Sequence, residues 1–180
     1  MNPYQQRMDE LESEIVCASQ GVQPLNLSEE EIASAENELG HRLPDDYRRF
    51  LRDFGCHDLY AYFPVPNPNV NNPWVSIGLF LGITPSKSDP FQTTYDLLAT
   101  YRSSREYLPV GLISIATSSG PNRLCLSLSE QNRGAVFWWD RMVSFDSRDG
   151  NAIYFVASSF DEFMLMLRTQ DQYEEEIANT

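Results

Sequence analysis

The residues best suited to acid–base catalysis at neutral pH are the two histidines, His41 and His57. His57 follows Cys56 directly, and a cysteine beside a histidine has the residue types of a thiolate nucleophile and its base. Side chains of adjacent residues seldom point at each other, so we interpret Cys56 as a packed residue and His57 as a surface residue. His41 lies in a polar turn, where we expect it to be exposed. The sequence therefore predicts no catalytic residues.

Cysteine and histidine also bind zinc, but their spacing in this chain does not suit a metal site. The three cysteines, Cys17, Cys56 and Cys125, are far apart and form no CxxC pair. An odd number of widely spaced cysteines is a poor disulfide framework and is typical of a reducing cytosol. Neither of the glycine-rich phosphate-binding patterns, GxxxxGKS/T and GxGxxG, occurs. We therefore predict no metal, no cofactor and a cytoplasmic location.

Acidic residues outnumber basic ones, 26 to 13, and the formal net charge is −13. A surface with this charge repels nucleic acids and anionic membranes and attracts basic partners. The alternative interpretation is that the charge only keeps the protein soluble. Arg48, Arg49 and Arg52 lie on the second helix of a helix–turn–helix, a pattern found in DNA-binding proteins. Nearby acids offset them, and we expect Arg48 and Arg52 to pair with those acids. We therefore predict no nucleic acid partner.

Asp140 has the most unusual sequence position among the carboxylates, because it ends an aromatic strand after Trp138 and Trp139. It has two interpretations, an acid in a pocket or an acid that caps the turn after the strand. Most other acids lie in helix first turns or in the C-terminal tail, where the helix dipole and solubility explain them. Alternation along the strand predicts that one tryptophan is in the core and the other is exposed.

The elements that position these residues begin with a pair of helices over 28–54. Ser28 and Glu31 form a capping-box pattern, and Gly40 is placed to end the first helix. Pro44 starts the second helix, aromatic residues recur on one of its faces, and a glycine ends it. A shorter helix is predicted within the first 20 residues from the spacing of three apolar side chains.

The remaining sequence predicts a sheet with further helices. Runs of β-forming residues predict strands in the first half of 59–73 and over 74–83, 112–117, 123–129, 135–140 and 152–158. Leucines alternate with polar residues over 123–129, which predicts a half-buried strand. Helical spacing predicts a helix near 93–105 and a last helix that starts at Ser159, where Glu162 completes a second capping-box pattern.

This order of elements predicts an α+β fold, a mostly antiparallel sheet flanked by helices, with an N-terminal helical pair and a C-terminal helix. A chain of 180 residues with 42% apolar residues predicts one domain over 1–180. We place its core at about 27–168, with an N-terminal extension over 1–24 and a frayed acidic tail over 169–180. The sequence has no run of 18 apolar residues and no signal-peptide pattern at its N-terminus, so we predict no membrane partner.

The stretch 32–55 resembles the opening signature of the SUKH superfamily, which includes the Smi/Knr-like regulators of the fungal cell wall. The pattern reads I-x-x-x-E-x-x-L-G-x-x-L-P-x-D-Y-x-x-F-L, with a glycine after it. Later segments are similar to the family as well: L-P-V at 108–110, G-x-V-x-x-W-D at 134–140 and S-F-x-E-F at 159–163. The resemblance spans about 27–168, in the same order of elements.

This resemblance implies an α+β domain that acts by binding and is not an enzyme. Bacterial members are mostly immunity proteins that bind and silence toxin domains, often nucleases or deaminases, and fungal members are regulatory scaffolds. The prediction is therefore an immunity protein whose partner is a basic toxin domain. The alternatives are a regulatory scaffold without a toxin partner and a small-ligand-binding domain.

The residues expected to bind the partner are aromatic and polar groups in loops and at strand ends, where rigid scaffolds usually present function. They are Tyr60, Tyr62, Asn67, Trp74, Asp89, Trp138, Trp139 and Asp140. A second group of residues is interpreted as determining the fold. It consists of Glu36, Gly40, Leu43, Pro44, Tyr47, Phe50 and Gly55.

Overall fold

A computed structural model describes residues 4–11, 27–66, 72–84 and 95–179, which form six helices and six strands. In chain order these elements are α1 (Gln5–Glu10), α2 (Glu29–Leu39), α3 (Asp45–Phe54), β1 (His57–Pro64), β2 (Trp74–Phe80), α4 (Leu97–Ser104), β3 (Leu112–Ser118), β4 (Arg123–Ser127), β5 (Val136–Trp139), β6 (Ile153–Ala157), α5 (Phe160–Met166) and α6 (Gln170–Ala178). The predicted α+β class is confirmed. None of these helices has the length and apolar run needed to cross a bilayer.

The six strands form one sheet in which every strand lies beside its neighbours in sequence, in the order β1-β2-β3-β4-β5-β6. Each pair is antiparallel, as predicted. Strands β1 and β6 are therefore the two edges of the sheet. Edge strands expose unpaired backbone groups, and proteins either cover them or use them to bind partners.

The turn between α2 and α3 is held by a carboxylate from the middle of α2. Ser28 caps the helix with the predicted capping box, and Gly40 ends it in the left-handed conformation, at φ 72°. One oxygen of Glu36 accepts hydrogen bonds from the Leu43 backbone N–H at 2.8 Å and from the Arg48 guanidinium at 2.9 Å. Because both charged side chains are mostly buried, this pair holds the two helices in a fixed arrangement.

The core is organised around Phe50 on α3, which is fully buried. Its ring centroid lies 5.8 Å from that of Tyr4, 4.7 Å from that of Phe80 and 4.9 Å from that of Phe160. These rings come from the start of the described chain, from β2 and from α5. Aromatic contacts of this kind stabilise a fold by more than the burial of their apolar area alone. Phe50 therefore joins α3 to the N-terminal segment, the sheet and the C-terminal helix.

Two predictions for the C-terminal part were wrong. The tail is not frayed over its described residues, since 170–178 form α6, which begins with a capping box between Thr169 and Gln172. The second predicted capping box is only half formed. Ser159 accepts the Glu162 backbone N–H at 3.1 Å, but the Glu162 carboxylate accepts the backbone N–H of Ser158, at 2.8 Å.

Strand β4 is buried on both faces, whereas its sequence predicts one exposed face. Cys125 and Ser127 are as fully enclosed as the leucines between which they lie. Leu108 packs against Cys125 and Trp139 in a second, smaller core cluster on that face. Phe145, in the loop after β5, also lies against Trp139, with the ring centroids 6.1 Å apart. Segments outside the strands thus cover a face that alternation alone predicts to be exposed.

Replacing Phe50 with alanine is expected to lower the free energy of unfolding by about 3–5 kcal/mol, because a cavity would open where several rings meet. The matched control is Leu165→Ala on α5, where the side chain is 73% exposed. That change should cost about 0.5 kcal/mol or less. Chemical denaturation of both variants is the measurement, and equal losses would contradict the position assigned to Phe50.

Candidate partner-binding surface

Strand β1 presents alternate side chains to the core and to solvent. Leu59, Ala61 and Phe63 are buried, while Tyr60 is 79% exposed and Tyr62 is partly exposed. Two tyrosines separated by one residue project from the same face of a strand. The outer face at this edge of the sheet therefore carries two neighbouring aromatic side chains.

Helix α6 adds a third ring to this face, and β2 adds a fourth. Tyr173 stacks on Tyr62 with ring centroids 4.3 Å apart and an angle of 8° between the ring planes. Trp74 meets Tyr173 edge-on at 5.7 Å, and the amide of Asn72 donates a hydrogen bond to the Tyr173 hydroxyl at 3.2 Å. We call Tyr60, Tyr62, Trp74 and Tyr173 the aromatic patch. Three of its four members were predicted to bind a partner.

A backbone pairing at the edge of the sheet positions α6. The N–H of Tyr62 donates to the carbonyl of Arg168 at 2.9 Å, and the N–H of Arg168 donates to the carbonyl of Tyr62 at 2.8 Å. Thr169 then caps the helix. The Arg168 guanidinium forms an ion pair with Glu176 on α6, at 2.6 Å. This pairing covers the middle of β1 and directs Tyr173 back over the strand.

The helix that borders the aromatic patch is strongly acidic. Residues 168–178 contain four acids, Asp171, Glu174, Glu175 and Glu176, and one base, Arg168, for a net charge of −3. The side chains of 174–176 are exposed. Exposed and partly exposed rings beside carboxylates suit a cationic ligand, because aromatic faces attract guanidinium and ammonium groups and carboxylates pair with them.

The tryptophans of β5 do not take part in this surface. Trp138 is 4% exposed and Trp139 is 1% exposed, so the expectation that one of them is exposed was wrong. The indole N–H of Trp138 donates to Ser118, and that of Trp139 donates to Ser147 at 3.0 Å, so each polar group is satisfied inside the protein. The covering segments Tyr107–Leu108 and the loop after β5 account for the difference.

Asp140 is also buried, and its position favours the turn-capping interpretation over the pocket interpretation. Its Oδ1 atom accepts the backbone N–H groups of Met142 at 3.1 Å and Val143 at 3.3 Å, which fixes the turn after β5. The two other predicted binding residues, Asn67 and Asp89, lie outside the described residues.

Neither candidate for nucleophilic catalysis has the geometry of an active site. The thiol of Cys56 donates to the carbonyl of Tyr95 at 3.4 Å, and a ring nitrogen of His57 contacts the carbonyl of Phe54. His57 is only 3% exposed, so its assignment to the surface was wrong, and burial lowers its pKa. Burial raises the pKa of the Cys125 thiol to about 12, which keeps it protonated. The described residues contain no cluster able to hold a metal ion.

The arginines that suggested DNA binding are paired with acids, as expected. Arg48 pairs with Glu36 at 2.9 Å and Arg52 pairs with Asp53 at 2.7 Å. Arg49 pairs with an acid of α5. These groups are therefore committed to contacts within the protein rather than to an exposed basic stripe.

Comparison with known proteins places the fold in a family. The model of the SMI1/KNR4 family (SUKH-1) matches residues 26–166. The chain belongs to this family. The resemblance predicted from the sequence is thereby confirmed, and the SUKH family is generally non-enzymatic. The chain is also similar to the SPbeta prophage-derived uncharacterized protein YokK of Bacillus subtilis (strain 168), with 27% identity over 150 residues, or 77% of this chain and 73% of that protein.

The family match includes Tyr60, Tyr62 and Trp74 but ends before α6, which carries Tyr173. Sequence reasoning missed Tyr173 and its acidic neighbours because the tail was interpreted as frayed. The sequence does contain a signal for the start of this helix, since Thr169 and Gln172 have the spacing of a capping box. The C-terminal helix of the candidate surface therefore lies outside the residues that the family model matches.

Replacing Tyr173 with alanine is expected to release the body of α6 from β1, because the helix has no buried residue and Tyr173 makes its ring contacts with the sheet. Backbone amides of 170–178 should then exchange with solvent about tenfold faster or more, while the global unfolding transition stays almost unchanged. Tyr173→Phe is the control, because it keeps the ring stack and removes only the hydroxyl. Unchanged exchange in the alanine variant would contradict the docking role.

Proposed function

We propose that this SUKH protein is an immunity protein that binds a basic toxin domain through the aromatic patch and α6 and blocks it, without chemistry of its own. The observation that carries the proposal is the position of the rings of Tyr60, Tyr62, Trp74 and Tyr173 beside an acidic helix. Aromatic residues provide much of the binding energy at protein interfaces, and acids beside them select a basic partner.

Electrostatics supports the same partner. Nucleases and other enzymes that act on nucleic acids present basic grooves to their substrates, and a protein with a net charge of −13 attracts such grooves over long distances. Charge complementarity of this kind increases the association rate and disfavours acidic partners. An inhibitor gains from rapid association, because it must reach the toxin before the toxin reaches its substrate.

A regulatory scaffold without a toxin partner is the second candidate. Members of both kinds occur in the SUKH superfamily, and the same aromatic patch would serve a scaffold that binds a basic segment of another protein. The two proposals use the same binding surface and differ in the effect of binding on the partner's activity. Only an immunity protein abolishes the activity of the domain that it binds.

The direct test is co-purification with the product of the neighbouring open reading frame, followed by an assay of that product's activity. Tyr60→Ala should weaken binding and inhibition about 30-fold, the size of a typical interface hot spot. The matched control is Phe155→Ala, because Phe155 is also an exposed aromatic residue, at 51%, but lies on the opposite edge strand, β6. Stronger weakening by Phe155→Ala would assign binding to the other edge, and binding without inhibition would favour the scaffold.

Raising the NaCl concentration from 50 to 500 mM should slow association with a basic partner by roughly tenfold or more, since salt screens attraction between separated charges. Replacing Glu174 and Glu175 together with lysine should slow association at low salt. The matched control replaces two exposed acids elsewhere, Glu130 and Asp149, with lysine, for the same change in net charge. Stopped-flow association rates are the measurement. Equal effects of the two double variants would show that net charge acts without contribution from α6.

A further inference from the structure

A cavity of about 350 Å³ lies on the outer face of the sheet, between α4 and the β3–β5 strands, away from the aromatic patch. Its walls are mostly polar. The lining residues are Ala99, Thr100, Ser103, Ser104, Ser114, Arg123, Trp139, Arg141 and Phe145. Nothing in the proposed binding of a protein partner uses this cavity.

The two arginines of the cavity are partly buried and pair with no described acid, whereas every other described arginine pairs with an acid or, like Arg105 and Arg133, is exposed. Eight arginines form ion pairs with acids: Arg7, Arg42, Arg48, Arg49, Arg52, Arg102, Arg148 and Arg168. Arg123 and Arg141 form no ion pair with any acid of the described ranges. The chain has twice as many acids as bases, and a buried charge without a counterion is costly. The lack of a carboxylate beside these two partly buried cations therefore suggests that another anion balances them.

The two guanidinium groups are also held together. The Nη1 atoms of both donate to the carbonyl of Pro121, at 3.0 Å from Arg123 and 3.2 Å from Arg141. Burial lowers the pKa of both groups, and the charge of Arg141 lowers the pKa of Arg123 further. Neighbouring like charges repel each other in a partly buried site, so an anion between them would relieve a cost built into the fold.

Two unused hydrogen-bond donors belong to residues that line the same cavity. The Arg141 Nε atom and the Ser114 hydroxyl are both buried, and neither has a hydrogen-bond partner among the described residues. Ser114 itself is fully enclosed. Buried polar groups without partners are rare in folded proteins, and each suggests a ligand or a water molecule. Here two of them line one cavity.

The orientation of Arg141 is fixed before any ligand arrives. Its guanidinium lies over the ring of Trp139 at 5.0 Å and over the ring of Phe145 at 4.4 Å. Stacking on two aromatic rings leaves the edge of the guanidinium available for hydrogen bonds. A planar guanidinium presented in this way matches the oxygens of an oxyanion.

We propose that this cavity binds a phosphate group, either as inorganic phosphate or as a small phosphate monoester, between Arg123 and Arg141. A doubly charged phosphate balances both guanidinium groups, and its oxygens can accept from the buried Arg141 Nε atom and Ser114 hydroxyl once the side chains that enclose them shift. The cavity is larger than a phosphate ion, so the organic part of a monoester would lie along the Ser103 and Ser104 side of α4. The proposal goes beyond partner binding and does not rest on it.

The test is titration of the full chain with inorganic phosphate and with glycerol 3-phosphate, against sodium chloride at equal ionic strength. Isothermal calorimetry and the thermal unfolding midpoint both report binding, because a ligand that binds only the folded state raises that midpoint. Both phosphates should raise the midpoint above the chloride value. Tighter binding of glycerol 3-phosphate would identify a monoester site, and equal binding would identify a site for phosphate alone. No difference of either phosphate from chloride would overturn the proposal.

Substitutions assign the site to the cavity. Arg141→Gln and Arg123→Gln should each weaken phosphate binding about tenfold or more. The matched control is Arg105→Gln, because Arg105 is exposed and does not line the cavity. Ser114→Ala provides a milder variant should the arginine variants fold poorly, and a several-fold loss is expected. Wild-type phosphate affinity in Ser114→Ala and in a folded arginine variant would overturn the proposal.

Discussion

The packing of α3 against α5 joins the N-terminal helical pair to the C-terminal part of the chain. Phe50 of α3 lies 4.9 Å from Phe160, ring centroid to ring centroid, at the first residue of α5. Asp46, in the first turn of α3, accepts the backbone N–H of Phe160 at 2.9 Å and that of Asp161 at 3.2 Å. One helix thus supplies both the apolar contact and a cap for the N-terminus of the other, where a carboxylate is favourable.

The position of the candidate surface follows from that contact. Helix α5 ends at Met166, and two residues later Arg168 pairs with the backbone of Tyr62 on the edge strand. The chain then turns into α6, whose Tyr173 stacks on Tyr62. Phe50 and Asp46 of α3 thus contact the start of α5, and the end of α5 leads into the backbone pairing that sets α6 beside Tyr62. These contacts give the candidate surface a fixed position on the domain.

The local elements could be predicted from the sequence because their signals are local. The capping box at Ser28, the glycine at Gly40 and the alternation along β1 each lie within a few residues of the structure that they determine. The burial of Trp139 could not be predicted, because segments from elsewhere in the chain cover it. Within the candidate surface, the exposure of Tyr60 follows from alternation, whereas the docking of Tyr173 depends on a contact with a strand far away in sequence.

The location of the proposed phosphate site also could not be predicted from the sequence. Neither Arg123 nor Arg141 belongs to a recognisable motif, and they meet because β4 and β5 pair in the register that sets Arg123 opposite Trp139. Only the folded chain shows that these two cations share the carbonyl of Pro121. The SUKH fold of this chain thus carries two polar surfaces of opposite character, one acidic and aromatic at the β1 edge, the other cationic under α4.

Hydrogen–deuterium exchange of this SUKH protein, alone and in complex with the product of the neighbouring open reading frame, reports which edge of the sheet meets the partner. We expect the partner to slow exchange in β1, in β2 near Trp74 and throughout α6, and to leave exchange at the β5–β6 edge unchanged. Protection confined to β5, β6 and the loop between them, with none in β1 or α6, would contradict this expectation.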